Sequence, residues 1–298
     1  MVCVVGPTAI GKTAVGIQLA RHYDTAVLSA DSRQLYREMT IGTAKPSTEE
    51  LSTVPHLFIN SRRITDDYSA GDFERDALKS LGDLFDHHHH VILVGGSGLF
   101  VDAVCYGLDD LPKPLPGVRD RLNKLYATDG LLHLQQLLRQ VDPPYYSEVD
   151  LNNPQRVIRA LEVYESTGLP FSSFRRRHLA ERSFRICKIG LHTDRERLYQ
   201  RINARVDAMM GAGLLEEVKS LVPYRYRPPL RTVGYAELFD YLDGKYTLQQ
   251  AVDNIKQHTR RYAKRQLTWF RKDTATQWFE PDDIEKIIAF IDSEGTRP

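Results

Sequence analysis

The chain has 298 residues, 42% of them hydrophobic, enough for one large α/β domain or a domain carrying an insertion. Its 40 Lys and Arg against 39 Asp and Glu exclude a uniformly basic protein, so any nucleic-acid partner must be met by a local patch. No apolar stretch approaches the roughly 20 residues that span a bilayer, "MVCVV" is too short for a signal peptide, and Cys3, Cys105 and Cys187 lack the spacing of a zinc site or a disulfide framework. The expectation is a soluble protein of a reducing cytoplasm.

The first element in chain order is a strand. Val2, Val4 and Val5 make a β-branched run suited to burial, and "GPTAIGKT" (Gly6 to Thr13) follows directly. From Thr13, "TAVGIQLARHY" carries Ala14, Ile17 and Ala20 in helical register, so the glycine-rich segment joins a strand to a helix. There Gly6 and Gly11 let the backbone turn its N–H groups inward at the positive end of the helix. Lys12 is placed to reach terminal phosphates, and the Thr13 hydroxyl is a ligand for Mg²⁺. The pattern reads as a phosphate grip without saying whose phosphates are held.

Further strands are expected at "AVLSA" (Ala26 to Ala30) and "VILVGG" (Val91 to Gly96), each after a helical stretch, so the first hundred residues read as βαβ units. Each strand runs into polar or glycine-rich chain, "DSRQLY" and "GGSGLF". The carboxyl ends of an open parallel sheet share one crevice, which brings Asp31 and Ser97 toward the phosphate loop. His87 to His90 lie between a helix and a strand; consecutive residues point apart, so imidazoles facing the negative end of a helix are expected rather than a metal site.

"LPKPLPG" sets Pro112, Pro114 and Pro116 close together and marks a boundary. Helical stretches follow, "RLNKLYA", "LLHLQQLLRQ" and "NNPQRVIRALEVYESTG", the last with Asn153 as N-cap, Pro154 at its first position and Gly168 as its stop. The strand "RICKIGLH" resumes the core pattern near Arg185, and "DRERLYQRINARVDAMMGAG" is a long helix with Arg201 and Arg205 one turn apart. The last long helix, Asn254 to Lys272, has seven Lys or Arg and no acid. Ile255, Tyr262 and Trp269 share one stripe while Arg260, Arg261, Lys264, Arg265 and Lys272 sweep the opposite side, so one face packs and the other seeks anions. The fold class is α/β: a P-loop NTPase-like parallel sheet flanked by helices, 1–111 and 185–298, with a mainly helical insertion, 112–184.

With "GPTAIGKT", "SADSRQLYREMTIGTAKP", "ILVGGSGLF", "NNPQRVIRALEVYESTG", "RINARVDAMMGAGLLEEV", "RTVGYAEL" and "KRQLTWFR" in this order, nearly the whole chain resembles the tRNA dimethylallyltransferase family, in its bacterial form without a zinc finger. Ile10 stands where that family usually has Ser, Ser97 where it has Thr, and Phe100 where it has Tyr. The resemblance implies transfer of a five-carbon prenyl group from dimethylallyl diphosphate to the exocyclic amine of the adenosine beside the anticodon of tRNA. The loop residues Gly6, Pro7, Thr8, Ala9, Gly11, Lys12 and Thr13 would then hold a diphosphate leaving group. Asp31 is implied as the base that takes the amine proton, with Lys12, Ser97, Mg²⁺ on Thr13 and a cation favouring the departing diphosphate. Arg205 is the chosen cation and Arg201 the fallback.

The acceptor base must be turned out of its stack, and the family's tRNA-contacting segments match Asp31 to Leu35, Gln155 to Arg159, Arg231 to Ala236 and Lys264 to Arg271, with Asp31, Ser32, Arg33, Gln34, Gln155, Arg156, Arg159, Arg231, Gly234, Tyr235, Lys264, Arg265 and Arg271 as the contacts and Arg261 on the same basic face. The insertion would lie along the anticodon stem. The run Arg175 to Arg177 offers either phosphate contacts or a solvated loop. A monomer is expected. The rival readings are a small-molecule kinase, a prenyltransferase acting on free adenine nucleotides, and a noncatalytic RNA-binding module.

Overall fold

The computed structural model describes residues 1–175 and 180–295, in two compact units, Met1–Tyr106 with Glu181–Pro298, and Gly107–Ala180. Arg176 and Arg177 lie outside the described residues.

The first unit begins with β1 (Val2–Val5), α1 (Lys12–His22), β2 (Val27–Ser29), α2 (Thr48–Thr53), β3 (His56–Leu57), α3 (Ala70–Phe85), β4 (Ile92–Gly95) and α4 (Gly98–Tyr106). The second unit holds α5 (Val118–Val141), α6 (Pro143–Glu148) and α7 (Pro154–Thr167). The first unit then resumes with β5 (Cys187–Leu191), α8 (Arg195–Gly211), α9 (Leu214–Ser220), α10 (Tyr235–Leu242), α11 (Leu248–Phe270), β6 (Gln277–Phe279) and α12 (Ile284–Gly295). Six strands make one parallel sheet in the order β3-β2-β4-β1-β5-β6.

Strand β1 shows why its sequence is apolar throughout. Cys3 and Val5 face one core with Phe73 and Ala77 of α3 and Val101 of α4, whereas Val2 and Val4 face another with Val15 and Leu19 of α1 and Ile287 of α12. The chain leaves β1 toward β2 and leaves β4 in the other direction toward β5, so the carboxyl ends of β1 and β4 frame a crevice where connections diverge. Strands β3 and β6 were not expected. Both are short, and neither has an alternating or continuous apolar run to announce it.

Helix α11 begins six residues before the expected Asn254, because Thr247 and Gln250 form a capping box that the basic run conceals. Arg260 is not part of the outward basic face: its guanidinium donates to Asn203 Oδ1 at 2.7 Å and lies over the Tyr199 ring. His90 stacks on Tyr23, and no group of His, Cys, Asp or Glu among the described residues could hold a metal ion by itself. No described helix is long and apolar enough to cross a membrane.

In the second unit, α5 breaks at Gly130 and packs with α7 through Leu122, Leu134, Leu138, Val157, Ile158 and Leu161. Asn153 caps α7 by accepting from the Gln155 and Arg156 backbone N–H groups, and Gly168 ends it. Buried Glu162 accepts from Arg119 at 3.0 Å and Arg159 at 2.7 Å. Arg175 pairs with Glu148 at 2.7 Å.

Candidate active site

The site starts where β1 stops. Gly6 has φ +150°, and a Cβ there would lie 2.8 Å from the Leu191 carbonyl, so the chain leaves the sheet at a point only glycine occupies without displacement. Five residues later Gly11, at φ +107°, opens α1 with no side-chain cap, which leaves the first-turn N–H groups to a ligand. Lys12 Nζ donates to the Pro7 carbonyl at 2.8 Å, closing the loop on itself.

Helix α11 holds this loop from above. Gln266, 6% exposed, accepts from Thr8 N–H at 2.8 Å and donates to the Gly96 carbonyl at 2.8 Å, tying the loop to the end of β4. One turn on, the Trp269 indole donates to Asp102 at 2.9 Å and its ring lies against Gly98, where a Cβ would come within 2.4 Å of it. The sequence reading places Gln266 only within the Lys264 to Arg271 stretch expected to meet tRNA, yet a signal for its inward role exists: Gln266 falls on the apolar stripe of an amphipathic helix, where a polar residue must find partners.

Asp31 follows β2, and its Oδ1 accepts from Arg33 N–H at 2.9 Å and Gln34 N–H at 3.4 Å, an Asx turn that fixes the carboxylate. Ser97 Oγ accepts from Ser32 N–H at 3.0 Å and donates to Ser32 Oγ at 3.1 Å, so it braces this turn. The following loop hangs from an unassigned residue, Glu217 of α9, whose carboxylate accepts from Thr40, Ile41 and Gly42 N–H at 2.7–3.0 Å and from the Tyr235 hydroxyl at 2.6 Å. Gln34 completes the brace by donating to the Thr43 and Ala44 carbonyls.

Lys12, Thr13, Asp31, Arg201, Arg205 and Tyr262 line one cleft of about 510 Å³ at the carboxyl ends of the strands. A second cavity of about 190 Å³ shares Thr8, Asp31, Arg205 and Tyr262 with it and continues onto Ile202, Val206, Met209, Val233 and Ile255. Loss of hydration lowers Lys12 to about 7, with Asp31 pulling it up and Arg205 pressing it down. Burial also presses on Arg205, eased by Asp31 and aggravated by Arg201; its NH1 donates weakly to Thr8 Oγ1 at 3.4 Å. Tyr262 is pushed up to about 12 by burial and the nearby Asp31 charge.

Of the residues expected here, Lys12, Thr13, Asp31 and Arg205 meet in the cleft, with Arg201 beside them; Ser97 does not line it and is committed to Ser32. Ser32, Arg33 and Gly234 line the smaller cavity. Arg261, Lys264, Arg265, Arg271 and Arg231 are exposed, with Arg265 over the Tyr262 ring and Arg271 over Trp278. Tyr235 corrects that expectation: it is fully buried with its hydroxyl on Glu217, so it has no surface to offer an RNA and acts through the loop it supports. In the second unit Gln155 and Arg156 are exposed, whereas Arg159 is half-buried with its charge met by Glu162. Two of the three departures from the family pattern are packing changes, Ile10 entering the core and Phe100 stacking on Phe73 at 4.4 Å, while Ser97 keeps its hydroxyl in use on Ser32.

Cations gathered at a helix N-terminus suit an anion, and a carboxylate fixed among them gives such a site a proton acceptor, so fold and cleft together describe an α/β protein with a P-loop-like sheet and an anion-receptive cleft. The family profile described as IPP transferase matches residues 34–273. The chain belongs to that family. It is 50% identical to the tRNA dimethylallyltransferase of Christiangramia forsetii over 99% of this chain and 98% of that protein, and 48% identical to tRNA dimethylallyltransferase 1 of Phocaeicola vulgatus over 98% of each. Among solved structures, the tRNA isopentenylpyrophosphate transferase of Bacillus halodurans superposes with a TM-score of 0.72 at 37% identity, covering 99% of this chain and 96% of that one.

Proposed function

We propose that this chain is a tRNA dimethylallyltransferase, moving the dimethylallyl group of dimethylallyl diphosphate to the exocyclic amine of the adenosine beside the anticodon. The observation that carries the reading is the set of three cations, Lys12, Arg201 and Arg205, that make no ion pair among the described residues while sharing a cleft with the fixed carboxylate of Asp31. The cations and the loop N–H groups accept the diphosphate, and the apolar-walled cavity beyond them has the size and lining for a short branched hydrocarbon and an adenine edge.

The amine of adenine is a weak nucleophile because its lone pair is delocalised into the ring. As its nitrogen bonds the allylic carbon, the carbon–oxygen bond breaks, the electron pair leaves with diphosphate, and Asp31 takes the amine proton. Lys12 and Arg205 stabilise the charge that grows on the leaving group. Ser97 works one step back, by holding the Ser32 turn that carries Asp31.

Mg²⁺ fits this site. The Thr13 hydroxyl lines the cleft without a hydrogen-bond partner among the described residues, and a cation with few protein ligands suits a metal that keeps its waters and binds through substrate phosphates. When bound, Mg²⁺ would supply further charge neutralisation at the diphosphate.

The exposed basic residues of α11 and Arg231 are the proposed grip on the anticodon loop, and the helices of residues 107–180, through Gln155 and Arg156, the proposed contact with its stem. The free thiols of Cys3, Cys105 and Cys187 fit the proposed cytoplasmic location. Incubation with dimethylallyl diphosphate, Mg²⁺ and bulk tRNA, followed by nucleoside mass spectrometry, should find a prenylated adenosine. Prenylation of free adenine nucleotides at a comparable rate, or tRNA-independent ATP hydrolysis abolished by Lys12→Ala, would overturn the reading.

A further inference from the structure

His56 opens the short edge strand β3, in register with Val27 of β2, and has no part in the chemistry described above. Its Nδ1 lies 2.9 Å from the Val54 carbonyl. A carbonyl only accepts, so the hydrogen bond assigns the proton to Nδ1 and leaves the lone pair of the neutral ring on Nε2. That Nε2 is buried and has no hydrogen-bond partner among the described residues. Buried polar atoms are nearly always satisfied, and such an orphan calls for a water or an ion.

The surroundings indicate which. His56 lines a cavity of about 40 Å³ whose polar side is formed by Lys12, Thr13, Ser29, Asp31 and Gln34 and whose apolar side is formed by Val27, Ile59 and Val94. That is room for roughly one or two waters. Lys12, Thr13 and Asp31 also line the main cleft, so the small cavity borders the hydroxyl at which the divalent cation is placed. Magnesium ions retain several waters, whose polarised O–H groups are strong donors, and prefer oxygen to nitrogen as a direct ligand. Partners that orient a metal's ligands from behind set its affinity nearly as strongly as the ligands themselves.

We infer that His56 is a positioning residue for the divalent cation: its Nε2 accepts a hydrogen bond from a water in the shell of an ion held by Thr13 and the donor's diphosphate. The inference rests on the proposed Mg²⁺ site at Thr13. Its strand position makes the arrangement rigid, because the bond to the Val54 carbonyl fixes the ring while the β2 pairing fixes the backbone.

The test uses Mn²⁺ as a spectroscopic stand-in, titrated by electron paramagnetic resonance into the full-length protein with inorganic pyrophosphate present. His56→Asn keeps an N–H for the Val54 carbonyl but removes the acceptor, whereas His56→Gln restores an oxygen near the Nε2 position. The Asn variant should bind Mn²⁺ about 10- to 100-fold more weakly than the parent, and the Gln variant within about threefold of it. Pyrophosphate affinity without metal should be the same in all three. If the parent itself takes up no Mn²⁺ with pyrophosphate, the metal site is wrong and His56 falls with it. If the parent binds and the Asn variant matches it, or Asn and Gln lose equally, only the role of His56 is overturned. A nitrogen coupling in the Mn²⁺ signal that vanishes in both variants would mark direct ligation and equally overturn the water-mediated arrangement.

Discussion

The two ends of the parallel sheet hold cavities of very different size. The larger, about 1600 Å³, lies at the amino ends of the strands, beside Met1, His90 and Cys187. Two of its cationic groups are already occupied: the Met1 ammonium donates to the Arg185 carbonyl at 2.7 Å, and Arg182 bonds Glu74 at 2.8 Å and the Ala103 and Val104 carbonyls. The cleft at the carboxyl ends is about 510 Å³, but there three cations make no ion pair among the described residues and the first turn of α1 has no side-chain cap. Volume does not locate the chemistry. Unpartnered charge at a helix N-terminus does, because those groups remain unsatisfied until an anion arrives.

The sharpest way to break this contrast is at Asp31. Asp31→Asn keeps an oxygen for the Arg33 and Gln34 N–H groups, so the turn should survive and tRNA binding with it. Single-turnover prenylation should fall by roughly 10² to 10⁴, the loss expected for a removed general base. Turnover within a few-fold of the parent would take that role from Asp31.

A smaller effect separates the two ends by what holds them. Gln266→Leu strands the half-buried Thr8 N–H and the buried Gly96 carbonyl, at a cost of up to about 1–3 kcal/mol for each unsatisfied group, and that cost falls on the loop proposed to receive the diphosphate. Pyrophosphate affinity should fall by roughly tenfold or more. At the other end, Arg182→Ala leaves Glu74 without its partner and should lower the melting temperature while pyrophosphate affinity stays unchanged. Equal effects on affinity would mean that Gln266 contributes only to general stability.

How much of this was legible in the sequence follows from the range of each signal. The phosphate loop, the Asn153 cap and the Gly168 stop are local patterns, and the structure places them where the residues demanded. The convergence of Asp31 with Lys12 followed from parallel-sheet topology alone. Glu217 was out of reach, because nothing near it in sequence shows that its carboxylate will meet three N–H groups from residues 40–42. Tyr235 and Arg260 were misread for the same reason: an aromatic in a polar block and an arginine in a basic run look exposed until the helix packed against them is known. His56 carried no signal beyond its identity.

The exposed face of α11 offers the next test. Changing Arg261, Lys264 and Arg265 together to Gln should weaken anticodon stem-loop binding and flatten the slope of log K against log salt by about 0.7–0.9 for each phosphate that the protein no longer neutralises. Binding of the prenyl donor should be unaltered, since none of the three lines the cleft. An unchanged slope would make this face merely solvated.

The smallest predicted signal is a proton. Lys12 sits near 7 in the folded protein and at 10.5 when unfolded, so between those values the unfolded chain binds a proton that the folded one lacks, and stability rises with pH across that window. A bound diphosphate brings negative charge to the ammonium and raises its pKa again, so binding at pH 8 should draw in about one proton at Lys12. Its affinity should correspondingly decline as pH rises above 7. Calorimetry of saturating pyrophosphate in two buffers of different protonation enthalpy measures this uptake, and subtracting the value for Lys12→Met cancels the protons carried by pyrophosphate itself. Equal uptake by parent and variant would place the pH-sensitive cation elsewhere in the cleft. A difference near one proton would fix the anion against Lys12, because a charge bound at the amino end of the sheet would have the whole sheet between it and this ammonium and could not move its titration so far.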